Sequence, residues 1–152
     1  MTLFEIIGQI VFLFIVLIFS LIMSRYDIRT LAVPNWPYWA GCIVLIGAGL
    51  VFHRYEMYLY LFSALILAAI YYIIRILTKG HLGIGDVYFG FFQGLALRPQ
   101  VIWICLVVET VTAFIVYMVQ CRRYKLKNPK MAFIPFMSLG LATAFLIDWI
   151  IR

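Results

Sequence analysis

FEIIGQIVFLFIVLIFSLIM, residues 4–23, runs for 20 positions with a single charged side chain, Glu5. A helix needs about 20 mostly apolar residues to cross the hydrocarbon core of a bilayer. The stretch is too long for the apolar part of a cleaved signal peptide, and no small-residue cleavage site follows it. It is therefore read as a helix that stays in the protein. The rest of the chain agrees. Of its 152 residues 66% are hydrophobic and only 12% charged, and the mean hydropathy is +1.08. A soluble domain is nearer half apolar and about a quarter charged. A soluble chain this small could not hide so much apolar surface, because small domains bury the smallest fraction of it. Lipid must be the solvent for much of this surface. An open sheet edge cannot face lipid, so helices are expected.

Working outward, six candidate spans follow: Phe4 to Met23, about Trp36 to Phe52, Met57 to Leu77, a short one of about Val87 to Leu97 beginning near Gly83, about Val101 to Gln120, and Met131 to Ile151. There is no repeat, linker or low-complexity tract. The expectation is an all-α polytopic bundle of six transmembrane helices, forming one domain over residues 1–152. One side of it receives the loops 24–35, 78–86 and 121–130. That side carries Arg25, Arg29, Arg75, Lys79, Arg122, Arg123, Lys125, Lys127 and Lys130. The other carries Arg54, Arg98 and Arg152, a split of nine against three. Basic loops stay in the cytoplasm, so both termini are expected outside. If the short fourth span failed to cross, the basic 121–130 segment would lie outside, against the same rule.

Chemistry is sought among the six acids. Glu5, Glu56 and Asp148 fall toward the outer face, and Glu109 near the middle of the fifth span. Asp27 and Asp86 alone lie on the cytoplasmic side, close to span ends. An acid at membrane depth is costly unless it faces the bundle interior, which makes it a functional candidate. Asp27 opens Asp-Ile-Arg-Thr-Leu-Ala-Val-Pro-Asn, ending at Asn35, and Asp86 closes Gly83-Ile84-Gly85-Asp86. The glycines allow a tight turn and the close approach of another chain. Two carboxylates at one site cannot easily both ionise, so they share a proton. One then acts as general base on water while the other polarises a scissile carbonyl, with no metal or cofactor.

Each residue also has a structural reading. Asp86 can cap the fourth helix, Asp27 can pair with Arg25 or Arg29, and Asn35 with Pro37 can simply start a helix. Phe133-Ile134-Pro135-Phe136 can be no more than the entry to the sixth. Glu109 is read as structural, Arg75 and Lys79 as snorkelling to the surface, and His53 as no ligand. Trp36, Tyr38 and Trp39 are read as an interfacial belt. Cys42, Cys105 and Cys121 have no metal or disulfide spacing.

Together these residues resemble the type IV prepilin peptidases. Asp27 with Val33-Pro34-Asn35 is similar to the family's first motif, and Gly83-Ile84-Gly85-Asp86 to its Gly-x-Gly-Asp motif. Phe133-Ile134-Pro135-Phe136 is similar to its Pro-Phe motif. The resemblance implies an aspartic endopeptidase with Asp27 and Asp86 catalytic. It implies supporting roles for Pro34, Asn35, Gly83, Gly85, Pro135 and Phe136. It further implies cleavage of the basic leader from a membrane-inserted prepilin-like or preflagellin-like substrate, in a lipid bilayer, without nucleic acid. Tyr88 stands where the family often has lysine. The paired Cys-x-x-Cys domain of the long, methylating members is absent, so the short peptidase-only form is expected, without S-adenosylmethionine. Two other readings compete: a transporter or assembly subunit with a degenerate peptidase fold, using Glu109 and the short fourth span, and a presenilin-type protease, which places both aspartates within helices.

Overall fold

The computed structural model describes residues 3–124 and 131–151, backbone alone at 123–124. Lys125, Lys127, Lys130 and Arg152 of the charge count lie outside the described residues. Among the described residues there are six α-helices and no strand. They are α1 (Leu3–Thr30), α2 (Asn35–Phe52), α3 (Met57–Leu77), α4 (Ile84–Ala96), α5 (Ile102–Tyr124) and α6 (Ile134–Ile151), with one 3-10 turn at Pro99–Val101. Five are long and apolar enough to cross a membrane. The chain is a multi-pass membrane protein.

α4 is the exception. Its 13 residues reach only about 20 Å at 1.5 Å per residue, against a hydrocarbon core of about 30 Å. It need not meet that thickness alone, because protein surrounds it. α3 packs along it, α2 and α6 flank it, and α1 and α5 complete the bundle outside them. Nine of the α4 residues are buried. It also begins at Ile84, earlier than the apolar run alone suggested, because Asp86 can sit inside its first turn.

The contact between α3 and α4 is set by Gly90 and Gly94, four residues apart on one face. Small residues at this spacing let two membrane helices approach backbone to backbone. A β-carbon at Gly90 would lie 2.2 Å from the Tyr71 ring, and one at Gly94 2.2 Å from the Ala64 Cα. α1 instead presents a continuous buried stripe, Gln9, Phe12, Val16, Ser20, Met23 and Asp27, at three- and four-residue spacing.

α1 runs on to Thr30, a full two turns beyond the apolar stretch that announces it. Nothing from Ser24 to Thr30 breaks a helix. It ends where Leu31 takes a left-handed φ of 51° and the Leu31 N–H bonds the Asp27 carbonyl. Asp27 therefore lies on the last helical turn rather than in a loop. α3 ends in a Schellman arrangement: Gly80 N–H bonds the Arg75 carbonyl and Lys79 N–H the Ile76 carbonyl, as helix C-termini commonly do.

Two contacts fix the direction of the helices. The Ile134 N–H, at the start of α6, bonds Asp27 at the end of α1 (2.9 Å). Arg98, just beyond α4, pairs with Asp148 near the end of α6 (3.0 Å). α4 and α6 thus run the same way, from the Asp27 end of the bundle to the Arg98 end. The 31–34 and 78–83 connections share the Asp27 end with the start of α6.

Candidate active site

A cavity of about 1070 Å³ opens at the Asp27 end of the bundle. Asp27, Val33, Asn35, Tyr38, Gly83, Gly85, Asp86, Phe133 and Ile134 line it, and the 78–82 turn closes one side. The two carboxylates come from different helices, α1 and α4, and line the same cavity.

Each aspartate has a structural partner as well as a place in the cavity, and for Asp27 it is not the arginine that the sequence suggested. Asp86 is the third residue of α4, and its Oδ2 accepts a hydrogen bond from the Gly83 N–H (2.9 Å). This is a capping arrangement that satisfies one of the orphan donors at a helix start. Asp27 does the same service from outside: its Oδ2 accepts the Ile134 N–H of α6. It does not look to Arg25 or Arg29, whose side chains stay exposed. Both carboxylates are thereby held by backbone donors at helix N-termini, where negative charge is favoured. Ser24 and Ser138, in contact at 2.9 Å, tie α1 to α6 one turn away.

Of the other residues singled out, Asn35, Gly83 and Gly85 line the cavity, and Pro34, Pro135 and Phe136 do not. Pro34 is the residue that ends the α1–α2 connection, and α2 starts at Asn35. Pro135 is the second residue of α6, where a missing N–H costs nothing. The Phe133 carbonyl accepts from both Phe136 and Met137, so this motif sets the α6 entry and delivers the Ile134 N–H to Asp27.

Two expectations need correction, and a third residue, Tyr88, finds its place. Tyr38 is no belt residue. Trp36 and Trp39 are more than half exposed, but Tyr38 is 2% exposed and lines the cavity. Pro37, Tyr38, Gly41, Cys42, Leu45 and Gly49 form the buried stripe of α2. The small residues at 41 and 49 mark that face in the sequence. Arg75 does not snorkel outward; its guanidinium donates to the Leu82 carbonyl (2.6 Å), pinning the turn that leads into Gly83. Tyr88 does not reach into the cavity; its ring lies 5.8 Å from that of Tyr38 and 6.1 Å from that of Trp39, filling the α2–α4 seam.

Glu109 lies away from the cavity, in a buried polar cluster. It accepts from the Tyr71 hydroxyl and from Gln93 Nε2, which also donates to the Met137 carbonyl. The cluster joins α3, α4, α5 and α6, and its groups satisfy one another. Of the two features that suited a transporter, Glu109 is thus accounted for by this cluster, and the short α4 remains. Both aspartates do lie on helices, but at the helix ends, at one end of the bundle. Among the described residues no group of three or more His, Cys, Asp or Glu side chains is placed to hold a metal.

The fold and site are those of a multi-pass helical membrane protein in which two aspartates from separate helices line one glycine-flanked cavity. Residues 14–119, well over half of the chain, match the model of the type IV leader peptidase family, and the chain belongs to that family. The match includes both aspartate motifs and ends before Phe133. No curated protein and no solved structure matches the chain.

Proposed function

We propose that this peptidase is an aspartic endopeptidase in which Asp27 and Asp86 share the catalysis. The observation that carries the reading is the convergence of these two carboxylates, from separate helices, on one cavity at one end of the bundle. One carboxylate takes a proton from water as the oxygen adds to the scissile carbonyl carbon. The other, protonated, gives its proton to the carbonyl oxygen. The resulting gem-diol then collapses: a hydroxyl proton returns to the second carboxylate, the first protonates the amide nitrogen, and the C–N bond breaks. The dyad is left with one proton, as it began. No metal or cofactor takes part.

The substrate proposed is a membrane-inserted prepilin-like or preflagellin-like protein with a basic leader, cut at the cytoplasmic face. The depth of the site supports this. Both aspartates sit at a bundle end, where they reach a bond at the edge of a substrate's apolar segment rather than its middle. Gly83 and Gly85 line the cavity beside Asp86, and an extended leader is proposed to lie against the 78–83 turn by main-chain pairing. The nine-to-three charge split supports a cytoplasmic position for this end, with both termini outside and the inner or plasma membrane as the location.

Coexpression with candidate prepilins tests the reading, scored as a mobility shift on gels. Asp27→Asn and Asp86→Asn should each abolish the shift while the protein remains folded in detergent, because one carboxylate cannot supply both base and acid. Full processing by either variant would remove the dyad. EDTA should have no effect.

A further inference from the structure

Tyr38 is buried in the cavity wall, yet its hydroxyl has no hydrogen-bond partner among the described residues. Buried hydroxyls are nearly always paired, so an unpaired one calls for an explanation. Its position is well defined. The ring comes from the first turns of α2 and is braced by the Tyr88 ring of α4. The hydroxyl lies over Gly85, so close that a β-carbon there would sit 2.8 Å from Oη. Gly85, the residue before Asp86, thus admits the Tyr38 hydroxyl into the wall of the cavity that both carboxylates line.

We propose that Tyr38 is a third catalytic group, whose hydroxyl donates a hydrogen bond to the scissile carbonyl oxygen as that oxygen becomes tetrahedral. The inference rests on the dyad reading above. No proton is transferred from Tyr38; the carboxyl still supplies the proton and the phenol only stabilises the oxygen. A donor fixed in advance and aimed at developing charge costs no reorganisation during the reaction. A second acid at this place could not serve, since it would compete with the dyad for its proton. A phenol stays neutral and keeps its donor.

The experiment compares wild type, Tyr38→Phe and Asp27→Asn, each purified and reconstituted with a prepilin that the wild type processes, measuring kcat and KM. Tyr38→Phe keeps the ring and its packing. It should lose about 10²–10³-fold in kcat with KM close to wild type, and its Tm should equal or exceed wild type. A hydroxyl with a purely structural partner would instead lower Tm. Gly85→Ala, whose methyl displaces Oη, should lower kcat in the wild-type background and add little to the loss in Tyr38→Phe; an equal further loss in that background would count against the proposal.

A Tyr38→Phe enzyme with wild-type kcat, or one changed only in KM, overturns the proposal. If Asp27→Asn is inactive while Tyr38→Phe is fully active, this inference alone falls. If Asp27→Asn retains activity, the dyad itself falls.

Discussion

Gly94→Ala places one methyl group where the structure has no room. Its β-carbon would stand 2.2 Å from the Ala64 Cα, 2.4 Å from the Ala64 nitrogen and 2.5 Å from the Ser63 carbonyl carbon. All three are backbone atoms of α3, so no side chain can swing aside. Ordinary carbon contacts begin near 3.5 Å, and α3 and α4 must therefore part by more than about 1 Å along their closest seam. Overpacking a filled core costs about 1–3 kcal/mol when side chains can adjust; with backbone on both sides the upper end applies, about 3 kcal/mol. For a chain of this size that is a fall in Tm of roughly 6–12 °C. Gly47→Ala is the matched control. It lies on the exposed face of α2, with nothing within 4 Å of the new carbon, and should change stability by no more than about 1 kcal/mol. Thermal unfolding in one detergent, followed by intrinsic tryptophan fluorescence, compares them. A Gly94→Ala protein within about 0.5 kcal/mol of wild type, or a Gly47→Ala protein equally damaged, would refute the argument that backbone contact sets this seam.

Two further outcomes are expected. Glu109→Ala leaves the Tyr71 hydroxyl and Gln93 short of an acceptor and empties buried volume, costing about 2–4 kcal/mol, whereas Glu109→Gln keeps an oxygen for Tyr71 and should cost about 1 kcal/mol without loss of cleavage; a well-folded Glu109→Gln that cuts nothing would give this cluster a role the structure does not suggest. In a background lacking the native cysteines, His81→Cys should react with an impermeant thiol reagent only after the membrane is opened and Tyr55→Cys in intact cells; the reverse pattern would invert the proposed orientation.

Much of this was legible in the sequence for physical reasons. Lipid demands long apolar runs, so five of the helices stand out by hydropathy. Asp27 is an acid at membrane depth, and its place on the inner face follows from the cost of turning it toward lipid. The glycines around Asp86 mark a close approach. What the sequence could not supply were contacts made across helices. Nothing local says that Asp27 accepts the N–H of Ile134, or that Tyr38 rather than its tryptophan neighbours turns inward. Tryptophan and tyrosine suit both the interface and the interior, and only the packing of Gly85 against α2 decides. The length of α1 was missed because apolar content ends before helicity does. Pro34, Pro135 and Phe136 stood near the cavity in sequence but serve to start helices around it.

The central claim is that Asp27 and Asp86 act as one unit on one bond. Cleavage rates for Asp27→Asn, Asp86→Asn and the double variant test it most directly, on a prepilin that the wild type cuts, with folding checked in detergent. Each single variant should lose at least about 10²–10⁴-fold, and the double variant should lose no more than the worse single one, since groups that work as a unit are strongly non-additive. Losses that multiply in the double variant, or cleavage at the wild-type rate by either single variant, would contradict the account.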